Sequence, residues 1–210
     1  RYWIHHGLLT INDQKMAKSL GNFVSVRDVL KSYHVDVLKL FFLSCHYSHP
    51  IDFSWEKLKD FSKARMRFIN LFQRLNSVGI IEEKESFSID PKIDSLKEEF
   101  FKAMDDDFNT AKATAVLFKI VNTIDGYFVH YKENIQKIIY GKFILEHLLK
   151  IFGISLEIEP IEEEILEKIR LRNKLRENKD FFQADQIRKE LAEQGIILED
   201  TAQGTIYRKK

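Results

Sequence analysis

The stretch Lys15-Met16-Ala17-Lys18-Ser19-Leu20-Gly21-Asn22 organises the interpretation of this 210-residue chain. It places two lysines three residues apart in a short polar loop with a glycine behind them. A mobile loop with two ammonium groups and free backbone N–H groups suits the phosphates of a nucleotide, because negative charge develops on phosphates during transfer. Lys15 and Lys18 are therefore candidate phosphate-binding residues. The alternative is a solvated loop with two ordinary surface lysines.

The flanks of this loop change from strand to helix. Tyr2–Ile4 and Leu8–Ile11 are predicted to be strands before the loop. After it, Ser25 has the spacing of a helix N-cap, and Val35–Cys45 is apolar nearly all round, so it is predicted to be a buried helix. His46–Ser54 contains Pro50 and is predicted to be an extended connector.

A series of helices with apolar stripes follows. Ser54 is predicted to cap a long amphipathic helix that runs to Asn76, and the polar segment Ser77–Ser95, broken by Pro91, is predicted to be a loop. Helical spacing then predicts bundle helices over Leu96–Met104, Thr110–Phe128 and Ile135–Phe152.

The composition changes after the bundle. Gly153–Pro160 is predicted to be a linker, followed by a small α+β module. Its predicted elements are a helix over Ile161–Asn178, a turn capped by Asp180, a helix over Phe181–Gln194 closed by Gly195, and a hairpin of strands 196–199 and 205–207 joined by an Asp200–Gly204 turn.

The module contains a strongly basic run. Lys168–Arg176 carries five cations in nine residues and directly follows the acidic stretch Glu157–Glu167. The run is a candidate phosphate-contacting helix, and an exposed helix balanced by the neighbouring glutamates is the alternative. The whole chain has a formal charge of only +1, so any surface for nucleic acid must be local.

Composition limits the remaining classes. With 44% hydrophobic residues, the chain can bury the core of one or two domains. The single cysteine, Cys45, excludes an internal disulfide and fits a reducing compartment. No apolar run approaches a membrane span and no cleavable signal opens the chain, so we expect a cytoplasmic protein without membrane contact.

Two clusters invite a metal interpretation. Cys45, His46 and His49 lack a fourth ligand at a usual spacing, so a buried small cysteine is favoured. Asp105–Asp107 does not match a calcium-binding loop, and Asp107 or Asn109 stands where a helix N-cap belongs. We predict no metal site in this chain.

KMAKSLGN resembles the KMSKS signature loop of class I aminoacyl-tRNA synthetases, with both lysines and Ser19 retained and Ala17 in place of the central serine. The flanking strings are similar to those of cysteinyl-tRNA synthetases and occur in the same order. They are RYWIHHG (Arg1–Gly7), HYSHPIDFS (His46–Ser54), MDDDFNTAKA (Met104–Ala113) and ADQIRKELAEQGIILEDTAQGT (Ala184–Thr205).

The resemblance implies a mainly α fold that follows the end of a Rossmann-type catalytic domain. Its implied parts are the domain end with the loop (1–22), a stem-contact region (23–54), a helical bundle for tRNA (55–152), a linker (153–160) and an anticodon-binding module (161–210). The long helix also has a basic face, for which a solvated surface is the favoured interpretation and a tRNA stem contact is the alternative. Its residues are Lys57, Lys59, Lys63, Arg65, Arg67 and Arg74.

The resemblance also implies an activity. The family activates cysteine with ATP and Mg²⁺ and transfers it to tRNA(Cys). Lys18 and, in support, Lys15 match its catalytic and ATP-binding lysines, and Ser19 belongs to the same loop. The family's His-Ile-Gly-His-type motif and zinc ligands are not among these 210 residues. We therefore expect this chain alone to be inactive and the zinc site of the complete enzyme, a monomer, to lie outside it.

Four positions match those that the family uses for the anticodon GCA. Arg176 can present a bidentate cation to guanine, and Asp185 and Asp200 can accept from the exocyclic amines of cytosine and adenine. Phe181 offers a stacking face. The structural alternatives are that Phe181 belongs to a core, that Asp185 pairs with Lys189, and that Asp200 caps the hairpin turn.

Three other functions stay open from the sequence. The chain could be a free-standing RNA-binding or regulatory protein derived from a synthetase. It could belong to the related ligase that joins cysteine to an amino sugar, although the apparent anticodon module argues against this. Another class I synthetase could carry the same loop, but the flanking strings disfavour it.

Overall fold

The structure is a computed structural model that describes residues 2–77, 89–156, 162–201 and 204–209. The described residues form two compact units, one of residues 2–68 with 89–155 and the other of residues 69–77 with those from 156 onward. The mainly helical prediction is confirmed. Among the described residues, no helix is both long and apolar enough to cross a bilayer.

A small sheet opens the first unit. It contains β1 (Leu9–Ile11), β2 (Gln14–Lys15) and β3 (Ile51–Phe53), in the order β2-β1-β3. β1 pairs antiparallel with β2 and parallel with β3. The predicted connector His46–Ser54 therefore contains a strand. Its partner, β1, lies some forty residues earlier in the chain, so the local sequence pattern does not reveal the pairing.

The predicted strand Tyr2–Ile4 is wrong. Its residues form no ladder with any described strand, and Trp3 is 88% exposed. A strand needs a neighbour to bond its backbone groups, so β propensity alone does not make one here.

Two short helices pack on this sheet. Ser25 caps α1 (Val26–Leu30), as predicted, by accepting from the N–H of Asp28. The second helix, α2 (Val35–Leu43), buries most of its residues, also as predicted. These helices form a core with the sheet and with the start of the next helix. Its buried residues are Val29, Val37, Leu38, Phe41, Phe53 and Leu58.

The remaining helices of the first unit are long. The helix α3 (Trp55–Ser77) begins in this unit and runs into the second, and α4 (Pro91–Asp105), α5 (Thr110–Tyr127) and α6 (Tyr131–Ile151) follow. Their fully buried residues include Phe68, Ile93, Phe100, Leu117, Ile120, Ile124, Leu145 and Leu148. Gly141 lets α6 approach α5, since a Cβ there would lie 2.7 Å from Cγ1 of Ile124.

Two helix starts differ from the prediction. The fourth helix begins at Pro91, not Leu96, because Asp90 caps it by accepting from the N–H of Ile93 and proline suits the first helical position. A 3-10 turn over Phe128–His130 leads into α6, which begins at Tyr131 and not at Ile135. Residues 78–88 of the predicted loop lie outside the described residues.

The second unit ends in an α+β module. Helices α7 (Glu163–Glu177) and α8 (Phe181–Glu193) precede the antiparallel hairpin of β4 (Ile196–Thr201) and β5 (Gly204–Lys209). Its core contains Ile169, Leu191, Ile196 and Leu198. Gly195 has φ 80°, as its predicted position after the helix requires. The strands are longer than predicted, and residues 157–161 of the linker and 202–203 of the turn lie outside the described residues.

Candidate functional site

The loop that carries the two lysines sits on a tight hairpin. Asn12 and Asp13 join β1 to β2, and both have positive φ, of 52° and 60°, as a type I′ turn requires. Asp52 on β3 accepts hydrogen bonds from the N–H of Asp13 and the hydroxyl of Thr10, both at 3.0 Å. These bonds, the Asp13 N–H foremost, together with Lys57, lower the pKa of Asp52. The hairpin is thereby fixed to the parallel strand beside it.

The side chain of Asn22 closes the loop. Its Oδ1 accepts from the N–H of Ala17 at 2.9 Å, and its Nδ2 donates to the carbonyl of Lys15 at 3.3 Å. Gly21 ends the following 3-10 turn with φ 68° and donates to the carbonyl of Lys18. The N–H groups of Ala17 and Gly21 are used within the loop, so the prediction of free backbone N–H groups is wrong for them. Sequence reasoning gave Asn22 no role.

The loop presents its cations to solvent. Lys15, Lys18 and Ser19 are exposed, and the Nζ of Lys18 lies 5.3 Å from the ring centroid of Phe23. This cation–π contact restricts the ammonium without neutralising it. Within the part of the chain that the structure describes, neither lysine forms an ion pair. The loop can therefore offer two uncompensated positive charges to an anionic ligand.

The C-terminal module contains a buried arginine that the sequence did not single out. Arg172 is 1% exposed and binds Asp200 with both terminal nitrogens, each 2.5 Å from a carboxylate oxygen. Thr205 lies 3.0 Å from Oδ1 of Asp200 and donates to Asn173 at 2.8 Å. The pKa of Asp200 is lowered to about 2, chiefly by the hydrogen bonds from Arg172 and to a smaller extent by Thr205 and Arg176.

Two of the four predicted anticodon residues meet in this network. Nη1 of Arg176 lies 3.2 Å from Oδ2 of Asp200, and both side chains are partly exposed, at 39% and 28%. The structure thus brings Arg176 and Asp200 together at the surface, with Arg172 beneath them.

The other two predicted residues lie on α8. Phe181 is 55% exposed and its neighbour Phe182 74%, so neither belongs to the core. Asp185 is exposed, and among the described residues it forms no ion pair, so the pairing with Lys189 is not formed. Residues four apart are neighbours on a helix, which places Asp185 next to Phe181.

The basic run on α7 is largely neutralised within the chain. Lys168 lies 3.6 Å from Glu164, Arg170 lies 3.0 Å from Glu163, and Arg172 and Arg176 share Asp200. Most of its charge is therefore compensated before any RNA is bound, which weakens the interpretation of the entire run as a phosphate-binding strip.

The basic face of α3 also has partners within the chain. Lys57 and Lys63 pair with Asp52 and Asp60. Nη2 of Arg67 donates to Asn122 at 2.7 Å, and its guanidinium lies over the ring of Phe118.

The residues of the acidic corner between α4 and α5 have structural roles, one as a helix cap and another in a contact with a distant tyrosine. Asn109 caps α5 by accepting from the N–H of Lys112, which confirms the capping interpretation. Asp107 accepts from the hydroxyl of Tyr47. Across the described residues, no group of three or more His, Cys, Asp or Glu side chains has an arrangement that could hold a metal ion.

Comparison with known proteins covers both units. Residues 1–63 match the family described as the tRNA synthetases class I (C) catalytic domain, and residues 99–157 match the DALR domain. Over its full length the chain is 42% identical to a cysteine–tRNA ligase of Geobacillus sp. WCH70 and 40% identical to one of Bacillus licheniformis. It spans 46% of each relative's length.

A solved structure supports the fold. The chain resembles a chain in the LeuRS–tRNA–LeuAMS ternary complex from Agrobacterium radiobacter K84 with a TM-score of 0.52 at 16% identity. The match covers 71% of the present chain and 22% of that one.

Proposed function

We propose that this chain is part of a cysteine–tRNA ligase, a class I aminoacyl-tRNA synthetase, and that the complete protein activates cysteine with ATP and transfers it to tRNA(Cys). The support is its identity of 40% and 42%, over its full length, to two such ligases. This chain corresponds to the C-terminal part of those ligases. In this proposal it supplies the loop that binds the ATP phosphates and the surfaces that bind tRNA. The observation that carries the proposal is the fixed loop with two exposed lysines, neither of which forms an ion pair with another described residue.

The loop acts on the leaving group of the first step. The carboxylate of cysteine attacks the α-phosphate of ATP, the bond to the β-phosphate oxygen breaks, and pyrophosphate departs with the negative charge. Lys18 stabilises that charge as it develops, and Lys15 supports it. Ser19 offers a hydroxyl to the same phosphates. The contact of Lys18 with Phe23 and the bonds of Asn22 supply the order that such stabilisation needs.

Metal ions have a limited place in this proposal. Mg²⁺ bound with ATP would neutralise part of the phosphate charge. The described residues contain no group that fits zinc, and we assign it no step.

The remaining segments hold the tRNA. Residues 23–54 form the stem-contact region, the helical bundle of residues 55–152 binds tRNA, and the module from 161 to 210 reads the anticodon. Arg176 contacts guanine, Asp185 and Asp200 accept from the amines of cytosine and adenine, and Phe181 stacks on a base. Two observations support this assignment: Phe181 is exposed, and the exposed carboxylate of Asp185 forms no ion pair with any residue that the structure describes. We place the protein in the cytoplasm as a monomer.

The test is a reaction by the complete protein with cysteine, ATP and a tRNA(Cys) transcript. We expect cysteine-dependent ATP–pyrophosphate exchange, followed by esterification of the tRNA 3′ end. Transfer of the activated cysteine to an amino sugar, with the tRNA left uncharged, would assign the chain to the related ligase. Binding of tRNA without any cysteine activation would indicate a regulatory protein.

A further inference from the structure

Two guanidinium groups share one carboxylate in the C-terminal module, and they do so unequally. Arg172 approaches Asp200 from the buried side with two nitrogens at 2.5 Å. Arg176 approaches from the exposed side with one nitrogen at 3.2 Å. One carboxylate cannot neutralise two cations, so Arg176 is the cation that the network can release.

The two ion pairs differ in strength for physical reasons. A bidentate arginine–carboxylate pair that is shielded from water is strong and geometrically fixed. A single-point pair between exposed groups is worth little, because water screens it and each side chain loses freedom to form it. The pair between Arg176 and Asp200 is therefore easily opened, and the pair between Arg172 and Asp200 is not.

We propose that Arg176 exchanges partners when RNA binds, leaving Asp200 for the edge of a guanine, and that Arg172 is the positioning residue that makes this exchange possible. The proposal rests on the proposed function, in which Arg176 contacts the guanine of the anticodon. Arg172 is buried and does not touch the RNA. Its part is to keep Asp200 compensated and in place once Arg176 has left.

Without Arg172 the exchange becomes unfavourable. Asp200 would then have Arg176 as its remaining cation in the network, and the departure of Arg176 would leave a partly buried carboxylate uncompensated. That carboxylate would compete with the guanine for Arg176. Arg172 therefore adds specificity for the base without adding a contact to it.

Binding of modified anticodon stem-loops tests this exchange. The probe is the tRNA(Cys) stem-loop with the anticodon GCA, made with guanine or 7-deazaguanine as its first base. 7-Deazaguanine lacks N7, one of the two acceptors that a bidentate arginine uses on guanine. The ratio of the Kd for the 7-deazaguanine stem-loop to the Kd for the guanine stem-loop therefore isolates that contact. We expect a ratio of about ten for the parent chain and near one for Arg176→Ala. For Arg172→Met we expect a ratio of about three or less, because Asp200 then retains Arg176.

A neighbouring cation supplies the control. Lys174 is exposed on the same helix, and among the described residues it forms no ion pair. Lys174→Ala should weaken both stem-loops equally and keep the parent ratio. A loss of ratio in this variant would mean that general charge produces the effect, which would overturn the exchange.

The remaining outcomes separate two claims: that Arg176 contacts the guanine, and that Arg172 allows Arg176 to leave Asp200. A parent ratio of one would overturn Arg176 as the guanine reader and the exchange with it. A parent ratio near ten that persists in Arg172→Met would overturn the exchange alone. If Arg172→Met loses the NMR amide signals of the hairpin, and so its fold, Arg172→Lys replaces it in the test. Lysine keeps the positive charge but cannot bind the carboxylate with two nitrogens. We then expect an intermediate ratio, and a ratio equal to the parent's would overturn the role of Arg172.

Discussion

The hydroxyl of Tyr47 donates a hydrogen bond of 2.7 Å to Oδ1 of Asp107, sixty residues further along the chain. His46 strengthens the same contact by donating from Nε2 to the carbonyl of Asp107 at 2.9 Å. The backbone of Tyr47 in turn accepts from the N–H of Gly7, ahead of β1. The contact therefore ties the segment before the lysine-bearing hairpin to the corner between α4 and α5.

Removing the hydroxyl of Tyr47 should loosen this tie. We expect Tyr47→Phe to lower the free energy of unfolding by about 1 kcal/mol, the usual contribution of one hydrogen bond. Urea denaturation measures this change. Tyr33→Phe is the matched control, because Tyr33 stacks on Trp55 and the structure gives its hydroxyl no partner among the described residues. Equal stability of Tyr47→Phe and the parent would show that the contact contributes nothing.

Lys18 is expected to act in the chemical step. In the complete protein, Lys18→Ala should slow cysteine activation by about 100- to 1,000-fold, the usual cost of removing one group that stabilises transition-state charge. The affinity for cysteine should barely change, because in the proposed function the loop binds the ATP phosphates and not cysteine. ATP–pyrophosphate exchange at saturating cysteine measures the rate.

Lys15 and Lys31 provide the comparisons for this result. Lys15→Ala should slow activation less than Lys18→Ala, since Lys15 supports the main cation. Lys31→Ala is the control, because Lys31 is exposed but paired with Asp28, and it should leave the rate unchanged. An unaltered rate in Lys18→Ala would remove this lysine from the mechanism.

The titration of Asp200 should report its bond to Arg172. The folded-state pKa of about 2 lies below the usual value of 3.8. The pair therefore stabilises the module fully above about pH 4, and this contribution is lost as the pH falls toward 2. An NMR titration of the Asp200 carboxyl should find a midpoint near 2, and Arg172→Met should raise it. A parent midpoint at the ordinary value would contradict the observed geometry.

Adjacent phenylalanines allow a matched test of base stacking. Phe181→Ala should weaken binding of the tRNA(Cys) anticodon stem-loop by about 1–3 kcal/mol, the usual effect of one base–aromatic stack. Phe182→Ala removes an equal ring from the next position, which is more exposed, and should cost less. Fluorescence anisotropy with a labelled stem-loop measures both. An equal loss in the two variants would assign binding to general apolar surface and not to Phe181.

Local signals predicted much of the fold. The capping residues Ser25 and Asn109 and the glycine at position 195 act through bonds and dihedral angles within a few residues, so the sequence reveals them directly. Pro91 was misjudged because proline both interrupts a helix and favours its first turn. Only the cap from Asp90 separates these cases.

Long-range pairing was the main source of error. β3 exists because it lies beside β1, and nothing within Ile51–Phe53 states this. Arg172 stands in a basic run whose pattern predicts exposure, yet it is buried against a carboxylate 28 residues away. The lysines of the loop were found because their spacing and the residues around them form a local sequence pattern. Asn22 was missed because its bonds are internal to the loop.

The central claim is that this chain contains the tRNA-reading part of a cysteine–tRNA ligase, and one binding measurement tests it most directly. Affinity is measured for tRNA(Cys) transcripts with the anticodon GCA and with its first or last base changed. We predict that each change weakens binding by about 1–3 kcal/mol, and that Arg176→Ala removes the discrimination at the first base while Asp185→Ala leaves it intact. Equal affinity of the parent chain for all three transcripts would contradict the account.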